Sequence, residues 1–173
     1  RCLTIDNEFV GREPDAIRLL QESYDAGVVL FDAADSDHSG YSEELLAKGL
    51  GNRRHDIIVA TKVGYDFYTP ITWLGDRGPR QNFDSEYLRL ACERSLRRLG
   101  TEYVDIYQLH HPPVEALRQD DLWMLLEELV REGKVRSVGI SVGAQIDVMD
   151  VRAVLTDKRM DGFQLPYLNA IDL

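Results

Sequence analysis

No apolar stretch in this sequence approaches the roughly 20 residues that cross a bilayer, so no membrane-spanning helix is expected. Positive charge is short as well. The 20 Lys and Arg against 30 Asp and Glu leave a formal net charge of −10, with a pI near 4.8. A surface of that sign gains nothing by displacing counterions from a phosphate backbone, which excludes non-specific nucleic-acid binding. Cysteine is scarce: Cys2 and Cys92 are far apart and have no metal-ligand spacing. Neither a disulfide framework nor a zinc site is expected, and two reduced thiols in a cytoplasmic protein is the simplest reading. No secretory signal is visible, and because the sequence starts at Arg1, not Met, an N-terminal segment is expected to be absent from it. Also lacking is a G-x-G-x-x-G after the first strand-like run, which an open dinucleotide-binding sheet usually carries.

What is present is an alternation of strand and helix signals over 173 residues, of which 44% are hydrophobic and 29% charged. That balance supports one sizeable core, so residues 1–173 read as a single domain. Cys2 to Ile5 reads as a first strand, cut at its start, and Pro14 to Ala26 as a helix stopped by Gly27. Strands are predicted over Val28 to Asp32, Ile57 to Lys62, Val104 to Leu109 and Val135 to Ser141, with a last short one from Gly162 to Pro166. Helices are predicted from Ser42 to Gly51, from Asp84 or Ser85 to Leu99, from Asp120 to Glu132 and from Ile146 to Leu155. A strand–helix repeat of this kind implies a parallel sheet with helical crossovers.

Two architectures fit: an open doubly wound sheet or part of a (β/α)8 TIM barrel. The barrel is favoured, because polar strand ends are spread over four or five strands and do not gather at one switch point. A complete barrel takes about 250 residues. Six strands are counted here, so the last two βα units are expected to be missing from this sequence.

Three strand-like segments, VVLFDAAD (Val28 to Asp35), DIIVATKVG (Asp56 to Gly64) and YVDIYQLHHP (Tyr103 to Pro112), end at Asp32, Lys62 and His110. C-terminal strand ends of a parallel α/β fold converge on one face, so these three side chains can share a pocket. The run AGVVLFDAADSDHSGYSEELLAKGL, the run VATKVG, the run SLRRLGTEYVDIYQLHHP, GKVRSVGIS and FQLPYLNAID stand in the order found in the aldo-keto reductases. The chain resembles that family from about Ala16 to Ile171, and its long insert GYDFYTP...RQNF resembles the loop of a bacterial subgroup.

The resemblance implies NADPH-dependent carbonyl reduction or the reverse alcohol oxidation, with a tyrosine protonating the developing alkoxide. A phenol with pKa near 10 is a poor acid at neutral pH, so a lysine tunes it, a carboxylate holds the lysine, and a histidine orients the carbonyl. Lys62, Asp32 and His110 match those roles by position, whereas His111 is not expected to take part. The alternative for Asp32 and Lys62 is an ion pair that only ties two strands, and for His110 a satisfied histidine in a polar layer.

The family pattern F-D-T-A-x-x-Y-G laid on FDAADSDH puts Ala33 at the threonine, Asp37 at the tyrosine and His38 at the glycine. An ionised carboxylate cannot donate a proton. Tyr41 or His38 can replace the acid, water can serve as donor, or the barrel does other chemistry of cyclase or lyase type or acts as a binding partner. For the cofactor, Ser141 and Gln164 match a Ser and a Gln that hold the carboxamide, while Val142 stands where an asparagine is usual. The seventh and eighth units would carry the groups that tell NADP from NAD. Tyr65, Phe67, Tyr68 and Trp73, in the insert, are expected to wall a pocket for a carbonyl or polyketide-like small molecule, or else to form a lid packed on its own barrel. Arg53-Arg54 and Arg97-Arg98 read as helix-end charges, and Asp120-Asp121 and Glu127-Glu128 as solvated helix faces.

Overall fold

The computed structural model describes residues 2–4, 11–69, 80–142 and 161–164. Six strands form one parallel sheet: β1 (Cys2–Thr4), β2 (Leu30–Asp32), β3 (Ile58–Val63), β6 (Val104–His110), β7 (Val135–Ser141) and β8 (Gly162–Gln164). The spatial order β1-β2-β3-β6-β7-β8 follows the chain without reversal. A doubly wound sheet would reverse at a switch point, so the sequential order is that of a barrel wall. A separate hairpin pairs β4 (Tyr65–Asp66) with β5 (Arg80–Gln81).

The helices α1 (Glu13–Asp25), α2 (Tyr41–Leu50), α3 (Ser85–Leu99), α4 (Val114–Leu117) and α5 (Asp120–Arg131) connect these strands. Their ends follow from local chemistry. Pro14 lies in the first turn of α1 with Glu13 and Asp15, where a missing N–H costs nothing and negative charge suits the helix dipole. Arg97 and Arg98 close α3, and Gly100, at φ 62°, lets the Thr101 N–H reach the Leu96 carbonyl at 3.1 Å. The predicted helix over Ile146 to Leu155 lies outside the described residues.

Alternation along each strand separates two faces. Phe31, Thr61, Val63, Tyr107, Leu109 and Ile140 point toward the helices and are fully buried against Leu45, Leu88, Cys92, Leu126 and Leu129. Each such aliphatic or aromatic side chain contributes about 1.5 to 3 kcal/mol. Asp32, Lys62, Gln108, His110 and Ser141 fall on the opposite face, as the pairings Lys62↔Gln108 and His110↔Ser141 require. The buried thiol of Cys92 is free, and burial pushes it up to about 12, so it is an inert core side chain.

At the N-terminal end of the sheet, Asp105 bridges Arg54 at 2.8 Å and Arg136 at 2.7 Å. Both guanidinium groups lie over the Tyr103 ring, 4.1 and 3.9 Å from its centroid. Arg54, a helix-end charge as expected, is in addition a buried tie between strand starts. Arg98 is likewise drawn inward, by Glu43 at 2.6 Å.

Candidate active site

Asp32 closes β2 and Lys62 lies one residue from the end of β3, the neighbouring strand. Lys62 Nζ donates to Asp32 Oδ1 at 2.6 Å and to the Ala33 carbonyl at 3.2 Å, and both side chains are buried. Two charges taken out of water at this depth are tolerable because each compensates the other. His110 ends β6 on the same face. Its Nδ1 is buried and has no hydrogen-bond partner. Burial first, then His111 and the Lys62 ammonium, depress its pKa to about 3, so its imidazole is neutral at physiological pH. Burial and Lys62 lower His111 too.

Ser141 stands beside His110 in register and Gln164 beside Ser141, which brings three polar residues to adjacent strand ends. The structure thus gathers Asp32, Lys62, His110 and Ser141 at one end of one sheet face and puts Gln164 in line with them. The buried Oε1 of Gln108, next to Lys62 in register, is also without a partner.

The loop after β2 turns through Asp37–Gly40, where His38, Ser39 and Gly40 all have positive φ, at 44°, 58° and 95°. Asp37 is half-buried at its start, with its N–H on the Ala34 carbonyl at 3.3 Å. His38 is exposed. Tyr41 begins α2, and its phenol donates to Glu13 on α1 at 3.3 Å, beside Lys48, which directs it toward that helix and away from Lys62. Of the two protein groups offered by sequence in place of a tyrosine, Tyr41 is thus engaged by Glu13 and His38 faces solvent.

Behind the same strand ends, on the helix side, is a second polar cluster. Glu43 accepts from Thr61 Oγ1 and from Arg98 Nε, each at 2.6 Å. Asp35 is fully buried close by, with neither carboxylate oxygen hydrogen-bonded. Burial, reinforced by Glu43 and only partly opposed by Arg98, raises its pKa well above the usual carboxylate range.

Phe67 and Tyr68 stack on each other at 4.1 Å and lie over Arg98 at 5.9 and 5.8 Å; Arg94 covers Tyr68 at 4.1 Å. They pack on α3, which fits the alternative of a lid packed on its own barrel, while Trp73 lies outside the described residues. Among the described aromatics of the insert, Tyr65 turns to the histidines. Its ring stands edge-on to His110 at 5.1 Å, and its hydroxyl is 3.2 Å from His111 Nδ1. Tyr65 is among the aromatics expected near the site, but its contact with His111, which was not expected to take part, follows from no strand pattern. The chain leaves the strand there, at φ 52°, so alternation no longer governs where the ring points.

Comparison with known proteins agrees with this geometry. The family model described as the Aldo/keto reductase family matches residues 8–165. An uncharacterized oxidoreductase, YqkF, of Bacillus subtilis is 35% identical over 140 residues, which are 81% of this chain and 42% of that protein. The holo form of the aldo-keto reductase AKR11C1 from Bacillus halodurans superposes with a TM-score of 0.77 at 34% identity, over 90% of this chain and 49% of that one. An aldo/keto reductase from Klebsiella pneumoniae, solved in complex with NADP and acetate, gives 0.70 at 25% identity, over 95% and 53%. The chain thus spans about half the length of the proteins it resembles. The fold class is α/β, a (β/α)8 barrel, to which the described residues contribute six wall strands.

Proposed function

This chain belongs to the aldo/keto reductase family, and from that premise we propose that it is a nicotinamide-dependent oxidoreductase acting on a small carbonyl compound or its alcohol, with Asp32, Lys62 and His110 around the reacting carbonyl and the carboxylate of Asp37 where the family's tyrosine would stand. The observation that carries this reading is the buried Lys62–Asp32 pair at 2.6 Å with the neutral His110 on the same face. A structural ion pair has no need of a neutral imidazole with an unsatisfied nitrogen beside it, whereas a carbonyl site does.

NADP is the cofactor this reading implies. The strand-end residues present suit a carboxamide, which needs both a donor and an acceptor: Ser141 supplies a hydroxyl on the His110 side, and Gln164 is its neighbour in register. Val142 is buried and apolar and adds no hydrogen bond from its side chain. When bound, the reduced nicotinamide supplies the hydride. Lys62 places positive charge near the developing alkoxide, Asp32 holds that ammonium in position, and His110, uncharged, orients the carbonyl oxygen. Asp37 is the departure from the family pattern and leaves the proton donor altered.

Fluorescence titration of the whole protein with NADPH, alongside Asp37→Tyr, tests the proposal. Micromolar binding is expected, with a gain in carbonyl reduction in the variant. Absence of binding at millimolar NADPH and NADH would sink the redox reading and favour a barrel repurposed for lyase or cyclase chemistry or for binding a partner.

A further inference from the structure

If Asp37 cannot protonate an alkoxide, and Tyr41 is bonded to Glu13 on α1, a phenol must be sought elsewhere at the strand ends. The described residues place one there. Tyr65 follows Lys62 by three positions, in the hairpin that rises from the end of β3. Its hydroxyl lies 3.2 Å from His111 Nδ1, and its ring meets His110 edge-on, with centroids 5.1 Å apart and planes at 89°. The two imidazoles are themselves 4.4 Å apart, and the Lys62 charge acts on both.

The phenol is held from several sides. Its backbone pairs with Gln81, and Gln81 Nε2 donates to the His111 carbonyl at 2.8 Å. The Tyr65 carbonyl accepts from the Tyr87 hydroxyl at 2.7 Å. His111 is fixed in turn by its N–H on the Ser141 carbonyl at 2.7 Å, and its positive φ swings the ring back toward Tyr65. A surface tyrosine packed for stability alone would not need its hydroxyl directed at an imidazole next to the candidate carbonyl site.

We propose that Tyr65 is the catalytic acid of this site, replacing the tyrosine absent at position 37, with His111 as the positioning residue that resupplies its proton. The inference rests on the oxidoreductase reading above. In the step it describes, the carbonyl carbon accepts hydride from the reduced nicotinamide. The Tyr65 O–H bond breaks as a new O–H bond forms on the substrate oxygen. The Nδ1–H of the neutral His111 tautomer passes to the phenolate, and His111 takes a proton from water at Nε2, ending neutral. His111 is only half-buried, so its side chain is open in part to solvent, from which that proton would come. For reduction the tautomer is therefore the one protonated at Nδ1, with Tyr65 oxygen as its acceptor.

The test uses the whole protein with NADPH and 4-nitrobenzaldehyde, and compares wild type, Tyr65→Phe, and Tyr65→Phe combined with Asp37→Tyr. Phenylalanine keeps the ring against His110 and the backbone of the hairpin, so a merely structural role predicts little change. On the proposal, Tyr65→Phe lowers kcat by about 10² to 10⁴, leaves the NADPH Kd and the aldehyde KM within a few-fold, and removes the solvent deuterium isotope effect on kcat. The double variant regains turnover, because a phenol then stands at the position of the family's tyrosine. Wild-type rates in Tyr65→Phe overturn the proposal, as does a wild-type protein that binds NADPH yet reduces no aldehyde. A wild type that binds no nicotinamide overturns the oxidoreductase reading itself, and the titration tells this outcome from the other two.

Discussion

Removing one partner of the Asp32–Lys62 pair leaves the other charge buried without compensation, since the two side chains are only 4% and 8% exposed. Lys62→Met is therefore expected to cost about 3 to 5 kcal/mol in urea unfolding. Asp32→Leu combined with Lys62→Met should restore most of that stability, because an apolar pair of similar volume has no desolvation to offset, yet hydride transfer should stay lost. A double variant as unstable as the single would mean that the pair contributes through packing, not charge. Asp35 behaves oppositely. Its folded pKa lies well above the ordinary value of 3.8, so its favourable contribution is complete below about pH 3.8 and declines as pH rises toward the folded pKa. Asp35→Asn stays neutral throughout. Its melting temperature relative to wild type should climb between pH 4 and neutrality, and a difference that is flat with pH would show that Asp35 ionises without penalty.

At the level of elements, the hairpin is the piece on which the site depends most and that the sequence showed least. Gly64 joins it to β3 at φ 137°, and a Cβ there would stand 2.6 Å from the Phe83 ring. Gly64→Ala should cost about 1 to 3 kcal/mol and displace Tyr65 from His111. Loss of aldehyde turnover with retained NADPH binding is the expected readout, and an unaffected rate would show that the hairpin does not position the acid. The wall strands and α3 were legible because each carries its own signal: an apolar run ended by Asp, Lys or His, or Leu88, Cys92, Leu96 and Leu99 at helical spacing before Gly100. The strands β4 and β5 are two residues each and lie far apart in sequence, so no periodicity announces them. Arg54 and Arg98 do end helices, as expected, but their inward ties were not legible for a related reason. Their partners, Asp105 and Glu43, are about fifty residues away, and a local reading sees only a basic helix end. Asp32, Lys62 and His110 were found because the topology dictates where strand ends go, while Tyr65 and His111 meet through loop geometry that no strand rule covers.

The whole molecule divides its polar chemistry between the two ends of the sheet. The Arg54–Asp105–Arg136 network ties strand starts together, and the lysine–aspartate pair and histidines occupy the strand ends, as in barrels generally, where one face serves stability and the other chemistry. This division has a consequence for acid stability. His110 titrates at about 3 in the folded protein against 6.5 for the free side chain. Between those values the unfolded chain holds a proton that the folded protein refuses, so stability falls as pH drops from about 6.5 toward 3 and is unaffected above that window. His111 is shifted in the same direction and adds to the slope, whereas Asp35 opposes it. The clean measurement is a difference. The stability of wild type minus that of His110→Gln, from urea unfolding at a series of pH values, should be constant above pH 7 and decline on acidification. The limit is about 1.4 kcal/mol per pH unit for one proton, reduced because the ring is partly exposed to solvent. A difference that stays level down to pH 4 would mean that the folded protein accepts the proton and that His110 is charged in its site. An imidazolium there would donate to the carbonyl oxygen itself and take the role proposed for Tyr65.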